Sequence, residues 1–145
     1  ADGFIQPDFK IRIEGIERTH GLHYSLSNDL MIITDIGDAT PTVQDGEIRI
    51  IEDFSLKLSA ALQQPDDTIP LTDQIIISGS NTLLSNPVDV VYHQQANRII
   101  VAERATNGGM ILSFEYPVQI DQTNTFNIAP DFSATYSGIS GLYIN

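Results

Sequence analysis

Short apolar runs separated by polar turns fill most of this chain, and the clearest set lies between Asn86 and Phe114. Val88–Tyr92, Ile99–Ala102 and Met110–Phe114 are the apolar runs; Gln94–Asn97 and Thr106–Gly109 separate them. Each run is about one strand long and each break is hairpin-sized, so the stretch predicts a three-stranded meander.

Similar runs occur on either side. Lys10–Gly15 alternates apolar and charged residues, the pattern of a half-exposed strand. Gly21–Ser25 predicts a short strand, Leu30–Ile36 an apolar strand covered on both faces, and Glu47–Phe54 a third. The Gly37–Gly46 segment between them is a loop containing Pro41 and an Asp45-Gly46 turn. Leu56, Leu58, Ala60, Ala61 and Leu62 fit either a strand tail or one helical turn. Pro65 and two aspartates break any helix, so Ser55–Asp73 is read as a long loop, an insertion. Gln74–Gly79 is a strand. Beyond the central meander come a polar connector (Val118–Phe126), a weak strand (Thr125–Ile128), a loop (Ala129–Ser137) and a strand just starting (Gly138–Asn145).

These elements repeat. Ile11–Gly15 lies over Ile75–Gly79, Tyr24 over Tyr92, Ile32-Ile33 over Ile100-Val101, and Asp35 over Glu103. Ile48 lies over Ile111, and Gly141-Leu142 resembles Gly21-Leu22. The unit is a strand ending in Gly, a connector, and a three-strand meander. Repeat one runs over about 10–73, repeat two over about 74–123, and a third starts over about 124–145. Repeats of four short strands are the signature of β-propeller blades.

Asn86-Pro87-Val88-Asp89-Val90-Val91-Tyr92, then Asn97-Arg98-Ile99-Ile100-Val101-Ala102-Glu103, resembles blades of the NHL and streptogramin-lyase-like propellers. Leu30–Asp35 and Gly46–Phe54 look like a second such blade. Two positions depart from the pattern: Asp89 stands where the family commonly has Gly, and Tyr92-His93 stands where it often ends in Asp. The resemblance implies an all-β fold of antiparallel four-stranded blades and says little about activity. Two blades cannot close a ring, so the expectation is an incomplete ring or a segment of a larger propeller. A β-sandwich is the alternative that the same strands would suit.

Charge narrows the partners. With 7 basic against 19 acidic residues the net charge is −12, which repels nucleic acid phosphates and anionic lipid. No apolar run approaches the roughly 20 residues that span a bilayer. There is no cysteine, hence no disulfide, thiolate metal site or thiol nucleophile. The chain begins at Ala1 without a signal peptide, so either a leader has been removed or this is a piece of a longer protein.

Asp35, Asp38 and Asp45 gather around the Gly37–Gly46 loop, and oxygen-rich loops bind Ca2+. The spacing is not that of an EF-hand, and Asp-Gly turns also form for conformational reasons alone. Glu103 holds the position equivalent to Asp35. The resemblance implies that carboxylates at such strand ends can line a propeller channel and hold a divalent metal; the competing reading is a strand-end acid capping a turn. His20, His23 and His93 are the only histidines, with no Ser–His–acid spacing and no nucleophile elbow. His20 and His23 point to opposite faces if both are extended. Gly108-Gly109 reads as a hairpin turn, since no phosphate-loop pattern surrounds it.

The leading expectation is a non-enzymatic binding or scaffold segment of an extracellular, periplasmic or envelope protein. Its partner would be a protein or small ligand at a propeller face. One alternative is a metal-dependent hydrolase or lyase using Asp35 and Glu103; another is a structural subunit that assembles by completing sheets between copies. Self-association or the remaining blades of a parent chain are further expected partners.

Overall fold

The computed structural model describes residues 3, 5–116 and 124–144. In chain order the strands are β1 (Arg12–Ile13), β2 (Thr19–Ser25), β3 (Leu30–Asp35) and β4 (Glu47–Ile51). After helix α1 (Phe54–Ala61) come β5 (Thr68–Ile69), β6 (Ile75–Ser78), β7 (Pro87–His93), β8 (Arg98–Glu103) and β9 (Met110–Glu115). Then follow β10 (Thr125–Phe126) and β11 (Phe132–Thr135). The fold is all-β. Sheet one has the order β10-β6-β4-β3-β2, sheet two the order β11-β9-β8-β7, and among the described residues β1 pairs with β5 alone. Pairing is antiparallel except for β10 on β6 and β1 on β5.

The two meanders share one register. Leu22 pairs with Ile33 as Val90 pairs with Val101, and Asp35 with Glu47 as Glu103 with Met110. Glu47 then pairs with Ser78 as Met110 pairs with Thr135. Both first strands shift register near their start, between Thr19 and Leu22 and between Pro87 and Asp89. A bulge there bends each strand at the same point. Thus β6 completes the first sheet and β11 the second, and the sequence repeat is offset from the sheet by one strand.

Isoleucine and valine dominate because branched side chains suit a pleated, covered surface. The front of sheet one carries Leu30, Ile32, Ile48, Ile50, Ile75 and Ile77. These pack on the back of sheet two, at Val90, Ile99, Val101, Leu112 and Phe114, to form the main core. Each such side chain contributes about 1.5–3 kcal/mol when fully buried. Equivalent residues do not face each other: Ile32 is on the front of its sheet, and its counterpart Ile100 is on the far side of sheet two. The stacking is therefore head to tail. The front of sheet two is partly covered in turn, where Ile139 and Leu142 pack on Val88, Ala102 and Ile111.

Several expectations change. Ser55–Asp73 is not a loop: it holds most of α1, with β5 and a 3-10 turn at Leu71–Asp73. Phe54, Lys57, Leu58 and Ala61 recur at helical spacing, and Ala61 and Phe54 pack with Ile51 and Ile69. The alternating Leu56, Leu58, Ala60 and Leu62 mimic a strand only if that face is ignored. The Asp29 carboxylate holds the helix start, accepting Ser55 N–H at 3.1 Å and Ser55 Oγ–H at 2.7 Å. Lys10–Gly15 contributes only β1, Glu47–Phe54 ends as a strand at Ile51, and Ala129–Ser137 contains β11. Gly138–Ile144 is not a strand, although it lies against sheet two. Most of the expected Val118–Phe126 connector, at 118–123, falls outside the described residues, as do residues 1, 2, 4, 117 and 145. The described residues close no ring.

Candidate functional site

Asp35 ends β3 and Glu103 ends β8, so the matched register puts both on the back of their sheets at the same end. Asp35 is 3% exposed; its Oδ2 accepts Glu17 N–H at 2.7 Å and its Oδ1 accepts Arg18 N–H at 2.9 Å. Glu103, fully buried, accepts Ser85 N–H at 2.9 Å and Asn86 N–H at 2.8 Å. It also takes Ala105 N–H at 2.8 Å and Thr106 N–H at 3.0 Å. Each carboxylate thus ties the connector entering its meander to the turn leaving its strand. Charge-assisted bonds of this kind make up for burying the acid.

The sequence-predicted metal residues are only partly brought together. Asp35 and Asp45 line one small cavity of about 180 Å3 with Glu17, Glu47, Gly15 and Gly37. Asp45 Oδ2 accepts Asp38 N–H at 2.9 Å, while Asp38 itself is exposed and outside that lining. Glu103 lies in the other sheet. Among the described residues no three His, Cys, Asp or Glu side chains are grouped to hold a metal ion.

Beside this cavity is a polar cluster that the alternation of β4 did not reveal. Arg49 is 4% exposed and donates to Glu14 O at 3.1 Å, Gly15 O at 2.9 Å, Gln74 Oε1 at 3.0 Å and Glu47. Gln74, 1% exposed, donates to Glu14 O at 3.0 Å. The cluster fastens the β1 segment to sheet one. Burial pushes the Glu47 carboxyl above its ordinary pKa against the pull of Arg49, and Asp35 and Glu17 push the same way.

A second shared device lies at the other rim. Tyr24 donates to Asp29 Oδ1 at 2.9 Å, and Tyr92 donates to Asn97 Oδ1 at 3.0 Å. Asp29 and Asn97 both sit in the left-handed region, at φ 49° and 52°, where Asp and Asn are the tolerated non-glycine residues. Between these hairpins a cavity of about 380 Å3 is lined by Asn28, Leu30, Glu52, Asp53, Tyr92, Asn97 and Tyr116. Tyr116 spans the two sheets by donating to Glu52. Burial, then that hydrogen bond, raises its phenol well above the ordinary value.

His20 and His23 do not part to opposite faces. The bulge in β2 turns both toward β7: His20 Nδ1 donates to Val88 O at 2.6 Å, and His23 lies within the field of Asp89. Burial lowers the His23 pKa, and Asp89 opposes this. His93 Nδ1 accepts Ala96 N–H at 3.1 Å at a hairpin turn.

Among the described residues no helix is long and apolar enough to cross a membrane. Set against known protein families, curated proteins and solved structures, the chain matches none. Fold and site define an all-β protein of antiparallel sheets whose strand-end carboxylates hold backbone.

Proposed function

We propose that this chain is a non-enzymatic binding and scaffold segment of a β-propeller, its two sheets being consecutive blades. Head-to-tail stacking of two meanders in one register supports the blade reading. A sandwich would set two inner faces against each other without requiring equivalent strands in equivalent places.

The observation that carries the non-enzymatic reading is the occupancy of Asp35 and Glu103. A metal-dependent hydrolase or lyase would need such carboxylates turned to a channel with oxygens to spare. Here both oxygens of each accept backbone N–H groups. The protein or small-molecule partner would then be met by surface turns, with the strand-end acids as internal ties. An extracellular or envelope setting belongs to the same proposal.

Thermal unfolding of the protein and of its Asp35→Asn and Glu103→Gln variants, with and without Ca2+ or Zn2+, tests this. The scaffold reading expects both variants to melt lower and none of the three to respond to metal. A metal-dependent rise in the melting temperature of the parent, lost in the variants, would replace it with the metal-dependent enzyme.

A further inference from the structure

We propose that the open edge of β1, with the exposed Leu22 and Tyr24 at the β2 side of sheet one, is a docking surface. Its occupant is a three-stranded antiparallel meander of this same repeat, joined to the segment that leads into β1. The proposal rests on the two sheets being consecutive blades.

The pair β1–β5 reproduces the outer pair β6–β10. Arg12 and Ile13 pair in parallel with Thr68 and Ile69 as Ile76 and Ile77 pair with Thr125 and Phe126. Arg12 N–H donates to Asp67 O at 2.9 Å where Ile76 N–H donates to Asn124 O at 2.6 Å. Gly15 and Gly79 follow the two strands with positive φ, 82° and 115°. The placement agrees too. Ile11 and Ile13 pack with Ile51 and Met31 on the back of sheet one, as Ile75 and Ile77 pack on the back of sheet two.

One difference remains. The inner edge of β6 is paired with β4, Ile77 lying opposite Ile48. Among the described residues no strand pairs with the corresponding edge of β1. Arg12 and Glu14 direct their N–H groups to β5. Strand alternation therefore turns the Ile13 N–H to the open side. Exposure marks the same region. Leu22 is 56% exposed, whereas Val90, its counterpart under sheet one, is 1% exposed. Tyr24, beside Leu22, is 38% exposed. Ile33, Arg49 and Ile51 on the same face are already buried, so the exposed patch is confined to β2.

A second copy of this chain does not fit the vacancy. Its two meanders already carry β6 and β11 on the edges that would have to pair with β1. The order of the repeat is meander, outer parallel strand, fourth strand, and it places the missing meander ahead of β1 on one polypeptide. The front of that meander would be apolar, as Ile32, Ile48 and Ile50 are on sheet one.

Hydrogen exchange on the chain as it stands, and on a form with residues 19–74 joined ahead of Ile11, tests the proposal. In the present chain the Ile13 amide should exchange within about tenfold of an unstructured amide, while Arg12 and Glu14 are at least about 100-fold slower. In the extended chain Ile13 should slow by at least about 100-fold. Leu22→Gln, silent in the present chain, should lower the melting temperature of the extended one. Protection of Ile13 already in the present chain, by its own residues or by a second copy, overturns the proposal without any variant. An unprotected Ile13 in the extended chain, with Ile77 still protected, sinks the docking surface but leaves the blade reading standing. Loss of Ile77 protection in the present chain sinks the blade reading itself.

Discussion

Leu142 donates its backbone N–H to Asp89 Oδ2 at 2.7 Å, so the last described turn is fastened to the first strand of sheet two. Asp89 also backs onto Gly21, where an added Cβ would sit 2.6 Å from Asp89 Cα. Gly21, Asp89 and Gly141, aligned by the repeat, therefore stand next to each other in space. The same step is taken twice.

The two glycines should respond differently to alanine. At Gly21 the obstruction is backbone, which cannot step aside, and overpacking of this kind costs about 1–3 kcal/mol. At Gly141 the nearest atom is Asp89 Oδ2 at 3.6 Å, ordinary contact. Denaturant unfolding should show Gly21→Ala clearly destabilised and Gly141→Ala near the parent. Equal effects would mean that β2 and β7 are not held this closely.

Glu103→Gln should cost about 2–3 kcal/mol, because an amide nitrogen would face donors that now meet a carboxylate oxygen. The loss should appear in the denaturant midpoint and in faster exchange of the Ser85, Asn86, Ala105 and Thr106 amides. A change confined to the midpoint would place the role of Glu103 elsewhere than in those bonds.

His23 sets an acid-side dependence. Its folded pKa lies below the ordinary imidazole value, so the unfolded chain takes up the proton first. Its contribution is present above about pH 6.5 and is lost as pH falls through the folded value. His23→Gln should flatten the fall in melting temperature below pH 6.5; an unchanged slope would assign that fall to other groups.

Tyr116 acts on the alkaline side with the opposite sign. Its folded pKa is raised, so its contribution is present below the ordinary phenol value, about 10, and is lost as pH climbs above it. Tyr116→Phe should weaken the alkaline loss of stability. It should also remove the most alkali-resistant step from the phenolate absorbance titration, and survival of that step would point to another tyrosine.

The strands were readable because Ile, Val and Tyr alternate or run together between polar turns, and the repeat was readable because Tyr24/Tyr92 and Asp35/Glu103 stand in line. The pairing was not. Ile11–Gly15 and Ile75–Gly79 look alike in sequence, yet among the described residues β6 finds β4 whereas β1 meets only β5, and that outcome depends on distant residues. Helix α1 was hidden by an alternating Leu pattern, and its N-terminal anchor, Asp29, comes from another hairpin. Nothing in the sequence of β4 singled out Arg49. It is buried because the β1 segment, held through Glu14 O and Gly15 O, lies across it. The strand-end acids were visible as candidates, but their alignment could not distinguish a metal ligand from a backbone tie until the amides around them were placed.

The one-strand offset between repeat and sheet makes the units interchangeable parts. Removing one whole repeat would withdraw β6 from sheet one and bring β11 in its place, in the register already shared by Glu47–Ser78 and Met110–Thr135. The outer strand β10, which pairs with β6, would have to leave with it. A unit cut from the start of β6 to the end of β10 therefore leaves β4 with a ready-made partner in β11.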